Sequence, residues 1–244
     1  MIFVLSGEGP TDLGCCNNGA AICNDGEFSP GPMTILIDQL IETEYQFSPL
    51  ATCPNVYFFV GKKELINRAK NQRGHRSMVL TGPKHGKETG YYHINAWMLG
   101  QMARELEAKH DSPSVAVLFR DADGTHSTPA AWEAKWDSML SGFDRAMHTR
   151  GVPMLAKPKS EAWLLCAAKD NPYQHCAALE NLPGNDDSPA SAKMQLDDAL
   201  EGRSSRSEVC DWLSESGFDH EATGEQMPSY GIFVARFFEA LATQ

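Results

Sequence analysis

Two short, uninterrupted apolar runs, each followed at once by acidic residues, constrain the fold of this chain more than any other feature. Residues 2–5 precede Glu8, and residues 115–119 precede Asp121 and Asp123. Apolar runs of this length, bounded by turn residues, are typical of strands buried on both faces, as in parallel sheets. Because ligands bind at the carboxyl ends of such strands, we expect the three carboxylates to meet at one edge of a sheet.

The rest of the chain alternates strand and helix patterns. Further strands are predicted at 56–60 and 152–156, and Pro153 places the latter at a sheet edge or a strand start. Helical apolar spacing is present near residues 33–41, 99–106, 132–147, 158–165 and 234–241. This alternation predicts an α/β fold with a mostly parallel central sheet flanked by helices. We divide it into a catalytic domain, 1–175, and a helical C-terminal extension packed on it, 176–244.

The acidic residues are suited to a hard metal ion. Asp121 and Asp123 are two residues apart, so their side chains point to the same side in extended geometry and could hold Mg²⁺. Glu8 lies between two glycines and could act as a general base or a metal ligand. The alternatives are a solvated turn for the aspartates and a capping role for Glu8. Thr11 and Asp12 could extend the site or form a turn, and we favour the turn.

A third acidic position follows the predicted strand at 152–156. Pro158 is expected at an early helical position and Glu161 in the first turn, which is ordinary chemistry for a helix start. If this strand joins the same sheet, Glu161 also reaches the shared edge, together with Lys157 or Lys159. Both interpretations stay open from the sequence.

Charge is unevenly distributed along the chain. The formal net charge of −11 argues against a general nucleic-acid coat protein. However, residues 61–87 contain one acid, Glu64, and a series of basic residues that could hold phosphates: Lys62, Lys63, Arg68, Lys70, Arg73, Arg76, Lys84 and Lys87. The alternative is a solvated helix surface.

Cysteine usage and hydropathy bear on the compartment. The seven cysteines are odd in number and irregularly spaced, and they lack a CxxC pair, so reduced cytosolic thiols are predicted. No apolar stretch approaches the ~20 residues needed to span a bilayer. The chain begins directly with a predicted strand, and we therefore expect a cytoplasmic protein without a membrane partner.

The order of the acidic motifs resembles that of the Toprim domain. Glu8 follows the first strand, Asp121-Ala122-Asp123 follows a later one, and residues 158–165 (PKSEAWLL) come next. The likeness is strongest to small stand-alone Toprim-like proteins of the DUF4276 type, related to the nuclease domain of OLD-family proteins. It covers residues 1 to about 170, and residues 227–229 (MPS) are similar to the C-terminal end of the same group. The long Cys- and Asn-rich loop, 14–32, is not part of the motif.

This resemblance implies a Rossmann-like catalytic fold that binds Mg²⁺ or Mn²⁺. Glu8 would be a general acid/base or a metal ligand, Asp121 and Asp123 would hold metal, and Glu161 would support a second metal. It further implies phosphodiester hydrolysis on DNA or RNA, often in anti-phage defence beside an ATPase partner. Lys159 and the basic residues of 61–87 would contact the nucleic acid.

Two alternatives remain. Residues 121–125 (DADGT) also resemble the first motif of haloacid-dehalogenase-type phosphatases, in which Asp121 would be the nucleophile and Asp123 the general acid/base. Asp197-Asp198 and Lys157 would then supply the later motifs, although about 115 residues precede a motif that normally follows the first strand. The second alternative is a non-catalytic Toprim-like subunit of a nucleic-acid-processing complex.

Overall fold

The computed structural model describes residues 1–73, 89–122 and 129–243. Within these ranges the strands are β1 (Ile2–Ser6), β2 (Gly14–Cys16), β3 (Ile22–Asn24), β4 (Phe28–Pro30), β5 (Tyr57–Val60), β6 (Ser114–Asp121) and β7 (Gly151–Ala156). The helices are α1 (Pro32–Tyr45), α2 (Pro49–Thr52), α3 (Lys62–Arg73), α4 (Thr89–His110), α5 (Pro129–Arg145), α6 (Ser160–Ala168), α7 (Ala192–Ala199), α8 (Arg206–Ser216), α9 (His220–Gln226) and α10 (Pro228–Ala242).

The central sheet has the strand order β3-β5-β1-β6-β7. Strand β1 pairs in parallel with β5 and β6, β6 pairs in parallel with β7, and β3 adds an antiparallel edge to β5. The predicted α/β class with a mostly parallel sheet is therefore confirmed. Pro153 lies in the edge strand β7, as its missing N–H requires. The loop 14–32 contains β3 and the small antiparallel β2–β4 ribbon, neither of which the sequence predicted.

The parallel strands are buried on both faces, as their continuous apolar runs indicate. Phe3 and Leu5 face one apolar cluster, with α1, α6, α8 and α10, whereas Ile2 and Val4 face another, with α3, α4 and α5. Two layers of helices thus cover both faces of the sheet and exclude water from them. A ligand can therefore reach the sheet at its edges.

The connections place a topological switch point between β1 and β6. From β1 the chain reaches β5 on one side of β1; it then returns to β6 on the other side and continues outward to β7. At such a point the flanking helices diverge and leave a crevice beyond the carboxyl ends of the strands. Glu8 follows β1 and Asp121 ends β6, so both lie at this crevice.

The C-terminal helices pack on the same core as the sheet. Helix α10 lies against β7, and α8 lies against α1. The fully buried Trp163 of α6 stacks on Phe233 and donates a hydrogen bond from Nε1 to Ser229 Oγ at 2.9 Å. The boundary at residue 176 stays a prediction. No helix in the described part of the chain has the length and apolar character needed to cross a bilayer.

The prediction that the cysteines are reduced thiols is wrong for four of them. Cys16 is bonded to Cys23, and Cys166 to Cys176. The chain reverses direction between the members of each pair, which brings sulfurs 7 and 10 residues apart into contact without a CxxC motif. Because disulfides persist mainly in oxidising compartments, the cysteines no longer support a cytoplasmic location, which stays a prediction.

The start of α6 also differs from the prediction. The helix begins at Ser160, with Lys159 as its N-cap, so Pro158 lies outside it and follows a cis peptide bond from Lys157. Glu161 is in the first turn, as predicted. A single turn of chain thus separates the end of β7 from Ser160 and Glu161, which keeps both residues close to the carboxyl edge of the sheet.

Candidate active site at the carboxyl edge of the sheet

Three neighbouring parallel strands bring acidic side chains to one place. The turn after β1 contains Glu8 and Asp12, β6 ends at Asp121, and the segment after β7 leads into Ser160 and Glu161. Since β1, β6 and β7 are adjacent and parallel, their carboxyl ends share one edge of the sheet. Residues more than 100 positions apart in sequence therefore become neighbours.

Ser160 connects three of these carboxylates. Its backbone N–H donates to Asp121 Oδ1 at 3.0 Å. Its hydroxyl lies 3.5 Å from Asp12 Oδ1 and 3.4 Å from Glu161 Oε2. A hydroxyl has one proton to donate, so it cannot satisfy both carboxylates at once. Asp12, Asp121, Ser160 and Glu161 are called the Ser160 cluster below.

Among the described residues, no lysine or arginine forms an ion pair with a carboxylate of the Ser160 cluster. Burial, followed by repulsion from Glu161 and Glu8, raises the pKa of Asp12 from 3.8 to about 6. Burial, followed by repulsion from Asp12 and Glu161, raises the pKa of Asp121 well above its ordinary value. Carboxylates in this situation are stabilised either by protons or by a cation.

Glu8 lies at the border of the Ser160 cluster. Its Oε1 is 3.3 Å from Lys62 Nζ and accepts a hydrogen bond from the Tyr91 hydroxyl at 3.4 Å. Its charge still contributes to the raised pKa of Asp12. Glu8 therefore faces the first turn of α3, while Asp121 and Glu161 face Asp12.

A buried arginine on the opposite face of β6 was not anticipated from the sequence. Arg120 is fully buried, and its Nη1 donates to the carbonyl oxygens of Ser6 and Phe119 at 3.4 and 2.6 Å. Its Cζ lies 5.5 Å from the centre of the Tyr91 ring. Within the described ranges its Nε and Nη2 atoms have no hydrogen-bond partner. Burial lowers the pKa of this guanidinium.

The predicted metal ligands are brought together only in part. Asp121 and Glu161 share the Ser160 cluster, Glu8 lies beside it, and Asp123 is outside the described residues. Over residues 1–73, 89–122 and 129–243, no group of three or more His, Cys, Asp or Glu side chains is arranged to hold a metal ion as placed. The chemistry of these side chains nevertheless fits a hard cation, because such cations are bound by carboxylate oxygens. Without a cation, burial and repulsion from neighbouring carboxylates keep the pKa values of Asp12 and Asp121 raised.

The predicted phosphate-binding residues other than Lys62 differ in their surroundings. Lys63 and Lys70 are exposed on α3, whereas Arg68 is paired with Glu64 at 3.0 Å and with Glu105 at 2.7 Å. Lys159 Nζ lies 2.7 Å from Asp186 Oδ1, close to the end of the sheet where α6 begins. Arg73 ends α3, and the remaining three basic residues lie outside the described part of the chain: Arg76, Lys84 and Lys87.

The residues proposed for the later motifs of the phosphatase alternative have other contacts. Asp197 and Asp198 are on α7, where Asp197 accepts a hydrogen bond from Ser204. Lys157 Nζ is 3.7 Å from the buried carboxylate of Glu180. Both observations give these residues structural contacts of their own.

No family model, curated protein or solved structure matches this chain. Its function must therefore be argued from the site. For Asp12, the sequence favoured a turn over an extension of the site. Asp12 does lie in a turn, but the same turn carries its carboxylate to the Ser160 cluster. Its position four residues after Glu8, in the same connection at a strand end, was the signal that could have revealed it.

Proposed function

We propose that this protein is a metal-dependent nuclease that hydrolyses phosphodiester bonds of DNA or RNA with Mg²⁺ or Mn²⁺. The observation that carries the proposal is the convergence of Asp12, Asp121 and Glu161 on Ser160 at the switch point of the sheet. Burial and, after it, repulsion between the carboxylates raise the pKa of Asp12 and Asp121, and a divalent cation would relieve that repulsion.

Asp12, Asp121 and Glu161 would hold the cation, together with Asp123 and Glu8. When bound, such a cation neutralises charge on the phosphoryl oxygens and lowers the pKa of a coordinated water. The chain itself contributes orientation: the N–H of Ser160 fixes one oxygen of Asp121, and its hydroxyl lies between Asp12 and Glu161.

Glu8 is the group best placed to move a proton. It lies in the connection after β1, and its carboxylate is in contact with Lys62 and Tyr91. These two donors hold the carboxylate at the border of the Ser160 cluster, where a phosphodiester lying over Asp121 would meet it. Glu8 is therefore assigned the role of general base or, in a two-metal arrangement, of a ligand.

The cations of α3 would bind the nucleic-acid backbone. Lys62 begins the helix beside Glu8, and Lys63 and Lys70 extend the positive charge along its exposed surface. Contacts of this kind bind phosphates without reading sequence. Arg68 contributes less, because two glutamates already compensate its charge.

Mutation of the predicted metal-binding pair tests the proposal. We expect Asp121→Ala combined with Asp123→Ala to abolish cleavage of single-stranded and duplex DNA and RNA that requires added Mg²⁺ or Mn²⁺. The matched control is Glu42→Ala combined with Glu44→Ala, which removes two exposed acids at the far end of α1. Cleavage retained by the aspartate variant, or equal activity in EDTA, would refute the assignment.

The other candidate functions predict different outcomes. A haloacid-dehalogenase-like phosphatase would hydrolyse phosphomonoesters and trap a fluoroberyllate phosphate mimic on Asp121. A non-catalytic Toprim-like subunit would bind no divalent ion and cleave nothing alone. A role in anti-phage defence with an ATPase partner is part of the proposal, and copurification with an ATPase, with activity only in the complex, would combine it with the nuclease function.

A further inference from the structure

A cavity of about 130 Å³ lies directly beside the Ser160 cluster. It shares Asp12, Ser160 and Glu161 with that cluster, so a ligand in the cavity would be in contact with the proposed catalytic carboxylates. Its walls come from the start of α1 and from α6, α7 and α8. The cavity is therefore continuous with the site and lies on the face of the sheet opposite α3.

The lining of the cavity has a polar part and an apolar part. The apolar part consists of side chains that are otherwise buried in the core beneath it: Pro32, Met33, Leu164, Leu196 and Val209. Such a surface is unsuited to a phosphate, which would lose its hydration without gaining donors. It suits a flat, weakly polar group, because small-molecule sites combine an apolar lining with a few polar groups that fix orientation.

The rim of the cavity also carries two cations, Lys193 and Arg206. Arg206 is held in place by hydrogen bonds from Nη1 to the Pro10 carbonyl at 3.1 Å and from Nη2 to Ser29 Oγ at 3.0 Å. Lys193 is largely exposed and lies 3.7 Å from Asp186. An anionic group at the rim would thus meet two cations.

We propose that this cavity is a nucleoside subsite, which takes the base next to the scissile phosphate with the sugar at its mouth, while Lys193 and Arg206 hold the following phosphate. The inference rests on the proposed function, since the acids of the cavity wall are those assigned to the cation. A ligand with alternating flat apolar and anionic parts matches the apolar lining, the cationic rim and the adjacent cation site.

The subsite has a consequence for the substrate. A base can enter a cavity of this size only when it is unpaired and unstacked, because a paired base is held inside the duplex. The strand would run from the cations of α3, past Glu8 and the Ser160 cluster, and end with one nucleoside in the cavity. The preferred substrate is therefore a single strand or a frayed strand end, whether DNA or RNA.

Hydrolysis of two chromogenic esters distinguishes an effect on the subsite from an effect on the catalytic centre. Thymidine 5′-(p-nitrophenyl phosphate) carries a nucleoside, whereas bis(p-nitrophenyl) phosphate does not. Ser204→Trp places a large ring at the exposed rim, and the matched control is Ser214→Trp, an exposed serine farther along α8. We measure kcat/KM for both esters with Mn²⁺ and with Mg²⁺.

We expect Ser204→Trp to lower the preference for the nucleoside ester by about tenfold, because the large side chain would fill the mouth of the cavity where the nucleoside enters. Ser214→Trp should leave the preference unchanged. Lys193→Glu should weaken binding of the dinucleotide pdTdT more than Lys109→Glu, which makes the same charge change at the exposed end of α4. An unchanged preference in Ser204→Trp, or equal cleavage of duplex and single strand, would overturn the subsite.

Failure of the proposed function would be recognised separately. If the wild-type protein hydrolyses neither ester, the nuclease assignment is wrong, and the subsite is then judged by calorimetric titration with pdTdT alone. Binding that is lost in Ser204→Trp and kept in Ser214→Trp would support the subsite, whereas the absence of binding to the wild-type protein would overturn it as well.

Discussion

Replacement of Asp12 by asparagine should make the metal-free protein more stable at neutral pH. Asp12 is partly buried, next to Glu161 and Glu8, and these surroundings raise its pKa from 3.8 to about 6. Ionisation of this carboxylate is therefore less favourable in the folded state than in the unfolded chain, which lowers the free energy of unfolding. Asparagine keeps an acceptor oxygen near Ser160 but carries no charge.

The magnitude follows from the shift. Each pKa unit corresponds to about 1.4 kcal/mol, so the penalty has a ceiling of about 3 kcal/mol, and partial exposure of Asp12 reduces it to about 1–3 kcal/mol. Because the folded-state pKa is raised, the free energy of unfolding of the wild type falls as pH rises from about 4 to about 6. Above that window the penalty is complete, and below it the two proteins should be equally stable.

The assay is urea unfolding in EDTA at a series of pH values between 4 and 8. We expect Asp12→Asn to gain 1–3 kcal/mol at pH 8, about 2–4 °C in Tm per kcal/mol for a chain of this size, and nothing at pH 4. Asp211→Asn, an exposed aspartate on α8, is the control for the charge change. Equal stability of Asp12→Asn and the wild type at pH 8, or a gain that persists unchanged at pH 4, would refute the reasoning.

Three further predictions test other parts of the structure. Trp163→Ala should lower the free energy of unfolding by about 3–5 kcal/mol in urea titrations, because it removes a fully buried ring that joins α6 to α10; a loss below 1 kcal/mol would contradict this packing. Lys62→Ala should weaken binding of a single-stranded oligonucleotide and reduce the slope of log K against log salt by about 0.7–1, and an unchanged slope would exclude a phosphate contact. Reduction should lower the free energy of unfolding by about 2–4 kcal/mol for each disulfide. Replacing Cys166 and Cys176 by serine measures the contribution of the buried disulfide alone, and free thiols at both positions in the untreated protein would exclude that bond.

The sequence was most informative where the physical requirement is local. A continuous apolar run predicts a strand buried on both faces without knowledge of its neighbours, and β1 and β6 agree with that prediction. The same holds for Pro153, whose missing N–H excludes a central position whatever the rest of the fold. Glu161 in a first helical turn is likewise a local inference.

The sequence was least informative about connections between distant residues. The loop 14–32 gave no strand pattern, because β2, β3 and β4 are three residues long and are stabilised by their partners. The pairing of Cys16 with Cys23 depends on that same local reversal. Arg120 looked like the edge of an acidic motif, yet the pleat directs it away from Asp121 and into the core beneath Tyr91.

The sequence by itself determined that acids follow buried strands, and hence that a sheet edge would be acidic. Only the tertiary structure decided which acids meet: the strand order sets β1, β6 and β7 side by side, and Ser160 joins Asp12, Asp121 and Glu161. The physical reason is that burial of a strand is encoded in its own side chains, whereas the position of a strand in the sheet depends on helices packing over the whole of both faces. Charge repulsion within the cluster exists only once that packing has formed.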